Sequence, residues 1–548
     1  MTENTNPAPD PVPAERTKHW FPSSVLALAA VFAHLPALRA GFVLDDRALI
    51  IENPYVRSLS GLPTLLRHEL FIASAEPRVV PYYRPLTGLL NWLSFRVVGA
   101  SPVGQHGLNL GLHALVSVLF YRALGANGIR RSVAFPTALV LAVHPVTSEI
   151  VAYLGGRQDL AGWVVLLASA WMYGRLRSTP AVVALGAGAS LLGALFHEFF
   201  AFTFVPLACL ALNQRWSNVK RRFGLTLVAG AGATLALMGL RSWLGLTALS
   251  APTHNVGVMI RSCAGVMSRL VEDVLLPNDL AVDVTVRSPT LGWSVLVIGV
   301  AGVVLAAFAN AVQRTRRDLF GVALAGASLI GLSASLHAGV LVMFGHISDR
   351  YAYGMLAGVL IGASAGIASW PGIPEPSPLL RVVQRWAVPA LTLAMMPLTW
   401  SRDASWRDET TLQLAMIADR PLDPESRLAA GMLYFTRNDI DQAYPHCVAY
   451  ARARPESEKA HLCVGTWLVI HGRADEAIPY LRRYALARPG MESARRAYLV
   501  ALLAVHDFVE AQAVLDEWNV LFPDASDLAA ARAELRRLRE AHAVKPPL

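Results

Sequence analysis

Eleven long apolar runs, near residues 22–40, 105–124, 132–152, 160–174, 180–197, 198–213, 223–246, 290–311, 319–343, 351–369 and 386–400, dominate the first 400 residues of this 548-residue chain. A helix crosses the hydrocarbon layer with about 20 residues, and with fewer when its ends are anchored. Each run is therefore read as one crossing, which predicts an all-α fold built on a polytopic membrane bundle of about 11 transmembrane helices. A composition that is 54% hydrophobic and only 16% charged, with mean hydropathy +0.42, excludes a string of soluble domains. The four cysteines, Cys209, Cys263, Cys447 and Cys463, match no close-spaced zinc or redox motif and indicate no disulfide framework.

The net charge of +9 would in a soluble protein invite a nucleic-acid partner, so its location matters. The last 148 residues hold 40 of the 87 charged side chains with a net of −2, which leaves +11 on the first 400. Cytoplasmic loops are enriched in Lys and Arg. With the polar N-terminal tail, residues 1–21, inside and each run crossing once, the inner loops carry 16 basic and five acidic residues. The outer loops are left balanced at 13 and 13. The charge thus records membrane orientation, and no nucleic-acid partner is expected. An odd number of crossings puts residues 401–548 outside. The stretch 258–276, interrupted by Arg261, Arg269, Glu272 and Asp273, is read as an amphipathic helix on the outer face; were it to cross, the tail would move inside. The first 15 residues are polar and show no cleavable leader, so the first span is expected to act as a signal anchor.

The outer tail is periodic. Prolines 421, 455, 489 and 523 stand 34 residues apart, as do Ala443, Ala477 and Ala511, Gly431 and Gly465, and Asn438 and Gly472. That period with a closing proline is the mark of tetratricopeptide repeats, two antiparallel helices each, stacked into an α-solenoid. Repeats are placed at 422–455, 456–489 and 490–523, with a charged capping helix near 525–541. A concave surface holding a peptide or protein is the common use of such arrays; packing alone is the plainer one. Cys447 and Cys463 fall on neighbouring helices and could pair in an oxidising compartment, with buried free thiols as the expected state.

The first outer loop, residues 41–104, opens with the adjacent carboxylates Asp45 and Asp46 just past a span, where charge is costly and so suggests function. An ordinary interfacial loop is the alternative. Tyr82-Tyr83-Arg84-Pro85 follows, then His106, Asn109 and His113 on one helix face. The next outer loop holds His144-Pro145, Glu149 and then Gly155-Gly156-Arg157-Gln158-Asp159. Other outer ends supply His197-Glu198 and Gly345-His346-Ile347-Ser348-Asp349-Arg350-Tyr351. Each segment alone reads as an interface anchor. Together they predict a polar cavity on the outer face.

In order, LDD with a following NP, YYRPLT, HxxNxxxH, HP with a later Glu and GRQD, and DRYAY, ending in 34-residue repeats, the chain resembles the transmembrane and tetratricopeptide-repeat O-mannosyltransferases and their bacterial homologues. The resemblance implies the GT-C glycosyltransferase fold over residues 22–400, a polyprenyl-phosphate sugar donor and inverting transfer to Ser or Thr hydroxyls of extracytoplasmic proteins. It makes Asp45 the general base, with Asp46 orienting base or acceptor. Arg84, Arg157 and Arg350 become candidates for the departing phosphate, Arg350 beside Asp349 being the best placed. His106, His144, Glu149, Asp159, Glu198 and His346 complete the expected donor and substrate site. Where the family carries Lys-Glu, this chain has His197-Glu198, and where it carries Glu-Arg, Asp349-Arg350.

No cofactor is expected beyond the lipid-linked donor, and metal-independent transfer is favoured over a divalent ion. Expected partners are a protein or peptide acceptor held by the repeats, the donor, and membrane lipids. Two other readings stay open: a GT-C transferase acting on an envelope glycan or lipid, and a non-catalytic membrane scaffold recruiting partners through its repeats. A transporter is disfavoured because no polar pathway reaches the inside. With only four lysines, Lys18, Lys220, Lys459 and Lys545, the arginine preference points to a GC-rich bacterial genome. The expected location is then an inner membrane, with the N-terminus cytoplasmic and the repeats periplasmic.

Overall fold

In the computed structural model, residues 20–73, 82–213, 218–246, 256–277, 290–344, 347–370, 378–419, 424–488, 491–522, 525 and 527–543 are described. Helix prevails throughout and no strand occurs among them. The chain divides into two compact units, Met1–Glu409 and Thr410–Leu548.

The first unit contains α1 (Trp20–Ala33), α2 (Leu62–Arg67), α3 (Pro85–Val98), α4 (Pro102–Ala126), α5 (Arg131–Val143), α6 (Ser148–Ala152), α7 (Arg157–Tyr173) and α8 (Thr179–Phe196). It continues with α9 (Phe204–Ala211), α10 (Val219–Trp243), α11 (Val256–Leu275), α12 (Leu291–Thr315), α13 (Phe320–Phe344), α14 (Ala352–Ser369) and α15 (Pro378–Ala404). Each apolar run of the sequence falls on one of these helices, or on a pair split by a turn. Among the described residues six helices are long and apolar enough to cross a membrane: α4, α8, α10, α12, α13 and α14. A seventh follows if α5 and the segment 145–152, bent by 53°, count as one. The protein is thus an all-α, multi-pass membrane protein.

The bend has a local cause. Proline disfavours helical backbone in the residue before it, so His144 is extended and ends α5. The His144 ring then accepts the Val146 amide and caps the short 3-10 turn that leads into α6. Close helix approach elsewhere rests on small residues. A Cβ on Gly326 of α13 would lie 2.7 Å from the Gly358 carbonyl oxygen of α14, and one on Gly358 would lie 2.8 Å from that of Gly326.

Helix α11 is not among the six spanning candidates. Two of its charged residues pair inward: Arg269 meets Asp273 at 2.9 Å and reaches Asp349 at 3.6 Å, and Arg402 of α15 approaches the other Asp349 oxygen at 3.9 Å.

The second unit holds α16 (Glu409–Asp419), whose first residue belongs to the first unit, then α17 (Pro424–Thr436), α18 (Ile440–Ala453), α19 (His461–Ile470), α20 (Ala474–Ala487), α21 (Glu492–Ala504), α22 (Phe508–Leu521) and α23 (Leu528–Ala543). Each helix from α17 onward packs on the next. The 34-residue period recurs in the starts of α18, α20 and α22 and in the left-handed turn residues Asn438, Gly472 and His506. Ala443, Ala477 and Ala511 are fully buried where paired helices meet. Pro421, Pro489 and Pro523 lie outside the described residues. The sequence expectation of free thiols is corrected: Cys447 of α18 and Cys463 of α19 form a disulfide, their Cα atoms 6.3 Å apart. That separation is within the range a disulfide spans.

Candidate functional site

The two carboxylates of the first outer loop have different surroundings. Asp46 is fully buried. Its Oδ2 accepts the Val43 amide and its Oδ1 the Gly155 amide, both at 3.2 Å. Burial pushes its carboxyl well above the usual carboxylate range, against the opposing pull of those two amides and of Arg157. Asp45 is half-buried, and its Oδ2 accepts the Tyr153 hydroxyl at 3.2 Å. Leu44, just before it, is held in left-handed backbone with φ of 50°, and its amide donates to Glu409.

The segment 149–159 meets this loop. The Gly155-Gly156 pair permits the tight 3-10 turn between α6 and α7: a Cβ on Gly155 would strike the Tyr153 ring, and one on Gly156 would sit 2.5 Å from the Ile150 carbonyl oxygen. Arg157 is buried and fully engaged, donating to Asn109 Oδ1 and Ser94 Oγ at 2.8 Å and to the Gln105 carbonyl at 2.9 Å. It acts as a brace. Asn109 also donates to the carbonyls of Val151 and Tyr153, His106 meets the Gly41 carbonyl, and His113 meets that of Ala142. The polar face of α4 therefore staples three backbone segments around the carboxylates.

Arg350 closes the site from the turn before α14. It donates through its side chain to Glu149 Oε1 at 2.8 Å and through its amide to Oε2 at 3.0 Å. Ser348 also bonds Glu149. The guanidinium lies 5.5 Å from the Tyr153 ring centre and 4.9 Å from that of Tyr351. Tyr153 is thus shared by Asp45 and Arg350. Burial, then the neighbouring Asp45, pushes its phenol well above the usual range, so it serves as a donor.

A second cation stands opposite. Arg84 donates to Glu198 at 2.7 Å and lies over the Tyr82 ring, while Arg241 of α10 reaches the other Glu198 oxygen at 3.5 Å. His197 approaches Asp159 at 3.6 Å. Asp159 feels Arg350, Arg84, Glu149 and Glu198 together, which joins the two cationic groups into one cluster.

The structure therefore brings Asp45, Asp46, Arg84, His106, Glu149, Arg157, Asp159, Glu198 and Arg350 together. Asp349 is turned away from Glu149 toward Arg269, Asp273 and Arg402. His144 is buried, one ring nitrogen on the Val146 amide and the other on the Val274 carbonyl, so it holds backbone. His346 lies outside the described residues. Among the described residues no group of three or more His, Cys, Asp or Glu side chains is arranged to hold a metal ion.

Sequence reasoning passed over Tyr153, Arg241 and a buried triad. His34 bridges Asp403, at 3.0 Å from Nδ1, and Thr147, at 2.9 Å from Nε2. Trp406 stacks on Tyr153. Tyr153 stands between the two quoted motifs and was findable by position. Asp403 and Trp406 lie beyond the last apolar run and carry no local signal.

No family model matches the chain, and no solved structure does. Curated proteins do. The chain is 34% identical over 138 residues to mouse protein O-mannosyl-transferase TMTC3, 35% over 160 to human protein O-mannosyl-transferase TMTC1, and 34% over 150 to Drosophila melanogaster protein O-mannosyl-transferase Tmtc1. These matches cover 25%, 28% and 27% of this chain. The chain spans only 15% to 18% of the length of these relatives. Its likeness is thus to a segment of proteins named as protein O-mannosyl-transferases.

Proposed function

We propose that this chain is an integral-membrane inverting glycosyltransferase of the GT-C type that moves a sugar, mannose being the first candidate, from a polyprenyl-phosphate donor to Ser or Thr hydroxyls of extracytoplasmic proteins. In this reading the membrane unit crosses eleven times in an inner membrane, the charged cluster faces the periplasm, and the second unit is a tetratricopeptide solenoid that presents the acceptor. The names of its relatives support protein O-mannosylation.

The observation that carries the reading is the sharing of Tyr153 by a partly exposed carboxylate and a cation. Asp45 takes the acceptor hydroxyl proton as that oxygen attacks the anomeric carbon. The bond from that carbon to the phosphate oxygen breaks, and the electron pair leaves with the lipid phosphate. Arg350, with Arg84 across the cluster, stabilises the charge gathering there. Asp46 and Arg157, both buried and bonded to the surrounding loops and helices, hold the base loop in place.

The test is transfer from a radiolabelled polyprenyl-phosphate mannose to Ser/Thr peptides by the purified full chain, beside its Asp45→Asn variant. Transfer by the wild type and none by the folded variant is expected. Normal transfer by Asp45→Asn would sink the assignment of the base. Label passing to glycan or lipid but never to peptide would favour an envelope-polymer acceptor, and no turnover of any donor would favour a scaffold.

A further inference from the structure

Base and phosphate chemistry in the charged cluster leaves one buried side chain beside it without a task. His337 sits in α13, one of the helices long and apolar enough to span the membrane, about 10 Å before the helix end at Phe344. It is 5% exposed, and an ionisable residue so placed is costly unless it is used. Its ring is the middle layer of a stack, 5.7 Å from Phe199 at an interplanar angle of 5° and 4.1 Å from Tyr351 at 13°. Both faces of the imidazole are therefore covered, and only its edge, which carries the two nitrogens, is left to meet a ligand. Beyond the Ser333 backbone one turn back, no described residue offers the ring a hydrogen bond, and Nδ1 is buried without a partner.

The stack joins the cluster at both ends. Phe199 follows Glu198 and packs on Trp163, 6.2 Å away and one turn of α7 from Asp159. Tyr351 follows Arg350, whose guanidinium is 4.9 Å from its ring centre and acts on Asp159 in turn. Asp159 Oδ1 is 3.6 Å from His197, which lies within electrostatic reach of His337, while Asp159 Oδ2 is buried without a hydrogen-bond partner among the described residues. Leaving a buried polar atom unpaired is costly, and two of them in one neighbourhood mark the place of a polar occupant. Their chemistry selects it. A carboxylate oxygen repels a phosphate, so the phosphate stays with Arg350 and Arg84 and the group beside it is uncharged and rich in donors. Hydroxyl groups donate to a carboxylate and both donate to and accept from an imidazole edge. Those are the groups that a hexose carries.

We propose that Asp159 and His337 form the subsite for the hexose ring of the lipid-linked donor, both hydrogen-bonding its hydroxyls, with Phe199 and Tyr351 fixing the imidazole edge-on. The assignment rests on the sugar-transfer reading and gives it the residues that recognise the sugar, next to the arginines that hold the phosphate.

The test is binding of polyprenyl-phosphate mannose, polyprenyl-phosphate glucose and sugar-free polyprenyl phosphate to the full chain in nanodiscs, read by native mass spectrometry, with thermal unfolding as the check on folding. The wild type should hold one of the hexose lipids at least about tenfold more tightly than the bare lipid phosphate. His337→Phe keeps the stack and removes the nitrogens. That variant and Asp159→Asn should each lose most of the preference while holding bare polyprenyl phosphate as the wild type does. Arg350→Gln should weaken all three lipids. Wild-type preference retained in either His337→Phe or Asp159→Asn would overturn the subsite and leave sugar transfer standing. A wild type that binds the bare lipid phosphate and prefers neither hexose would overturn the subsite too. Binding of none of the three lipids would overturn the transfer reading, and the subsite with it. If His337→Phe does not fold, Asp159→Asn decides the matter.

Discussion

Adjacent carboxylates in one loop carry opposite assignments because their surroundings differ. Asp45 is half-buried with one phenol donor, whereas Asp46 is fully buried on two backbone amides. Asp45→Asn is expected to lower sugar transfer by about 10²- to 10⁴-fold, the usual worth of a general base, with the melting temperature unchanged. Asp46→Asn should act on stability instead. Burial raises the Asp46 carboxyl, so its contribution is fully present below the ordinary carboxylate range and is lost as pH climbs through its raised value. The variant removes that decline, so its melting temperature should fall less than the wild type's from about pH 4 upward. A wild-type slope retained in Asp46→Asn would count against this assignment. Tyr153→Phe keeps the ring beside Arg350 but loses the donor to Asp45. A net hydrogen bond of about 1 to 1.5 kcal/mol corresponds to roughly a tenfold fall in kcat, with KM for the donor little changed, read from steady-state kinetics.

At the scale of elements, small residues and one covalent link set the packing. Gly358→Leu would drive a side chain into the α13 backbone, and overpacking of this kind costs about 1 to 3 kcal/mol. Thermal unfolding in detergent should show the loss, with Gly299→Leu on α12, where a Cβ meets open space, as the neutral partner. Cys447→Ser removes the link between α18 and α19, a closed loop worth about 3 kcal/mol in the chain-entropy treatment, and the variant's unfolding should become insensitive to reducing agent. These elements were largely legible in the sequence. Apolar runs and a 34-residue period are repeated signals, and repetition overrides uncertainty at any one boundary. The charged groups at the span ends were legible too, because carboxylates and arginines beside hydrocarbon stand out by cost. Their partners were not. His34 meets Asp403 across 369 positions and Arg84 meets Glu198 across 114, and no local pattern records such distances. The disulfide ranked behind free thiols for a related reason: spacing put the two cysteines on neighbouring helices but could not say that their side chains face each other.

For the whole molecule the decisive stretch is residues 401–409, between the last apolar run and the second unit. Composition assigns it to the charged tail, yet its side chains complete the membrane unit. Asp403 is fully buried on His34, Arg402 faces Asp349, Trp406 is fully buried against Tyr153, and Glu409 holds the amide before Asp45. Two shortened chains should therefore differ sharply. A chain ending after Glu409 keeps every one of these contacts, and is expected to fold, to bind the lipid-linked donor and to lose transfer to protein acceptors if the second unit presents them. A chain ending after Trp400 leaves His34 and Asp349 buried without these partners, and breaking a buried pair costs about 3 to 5 kcal/mol. It is expected to aggregate or to melt well below the longer form. Fluorescence-detected size exclusion and thermal unfolding of the two forms, followed by donor turnover, make the comparison. Equal behaviour would mean that residues 401–409 belong functionally to the tail. Full protein glycosylation by the chain ending at Glu409 would instead remove acceptor presentation from the second unit and leave acceptor choice to the cluster around Asp45.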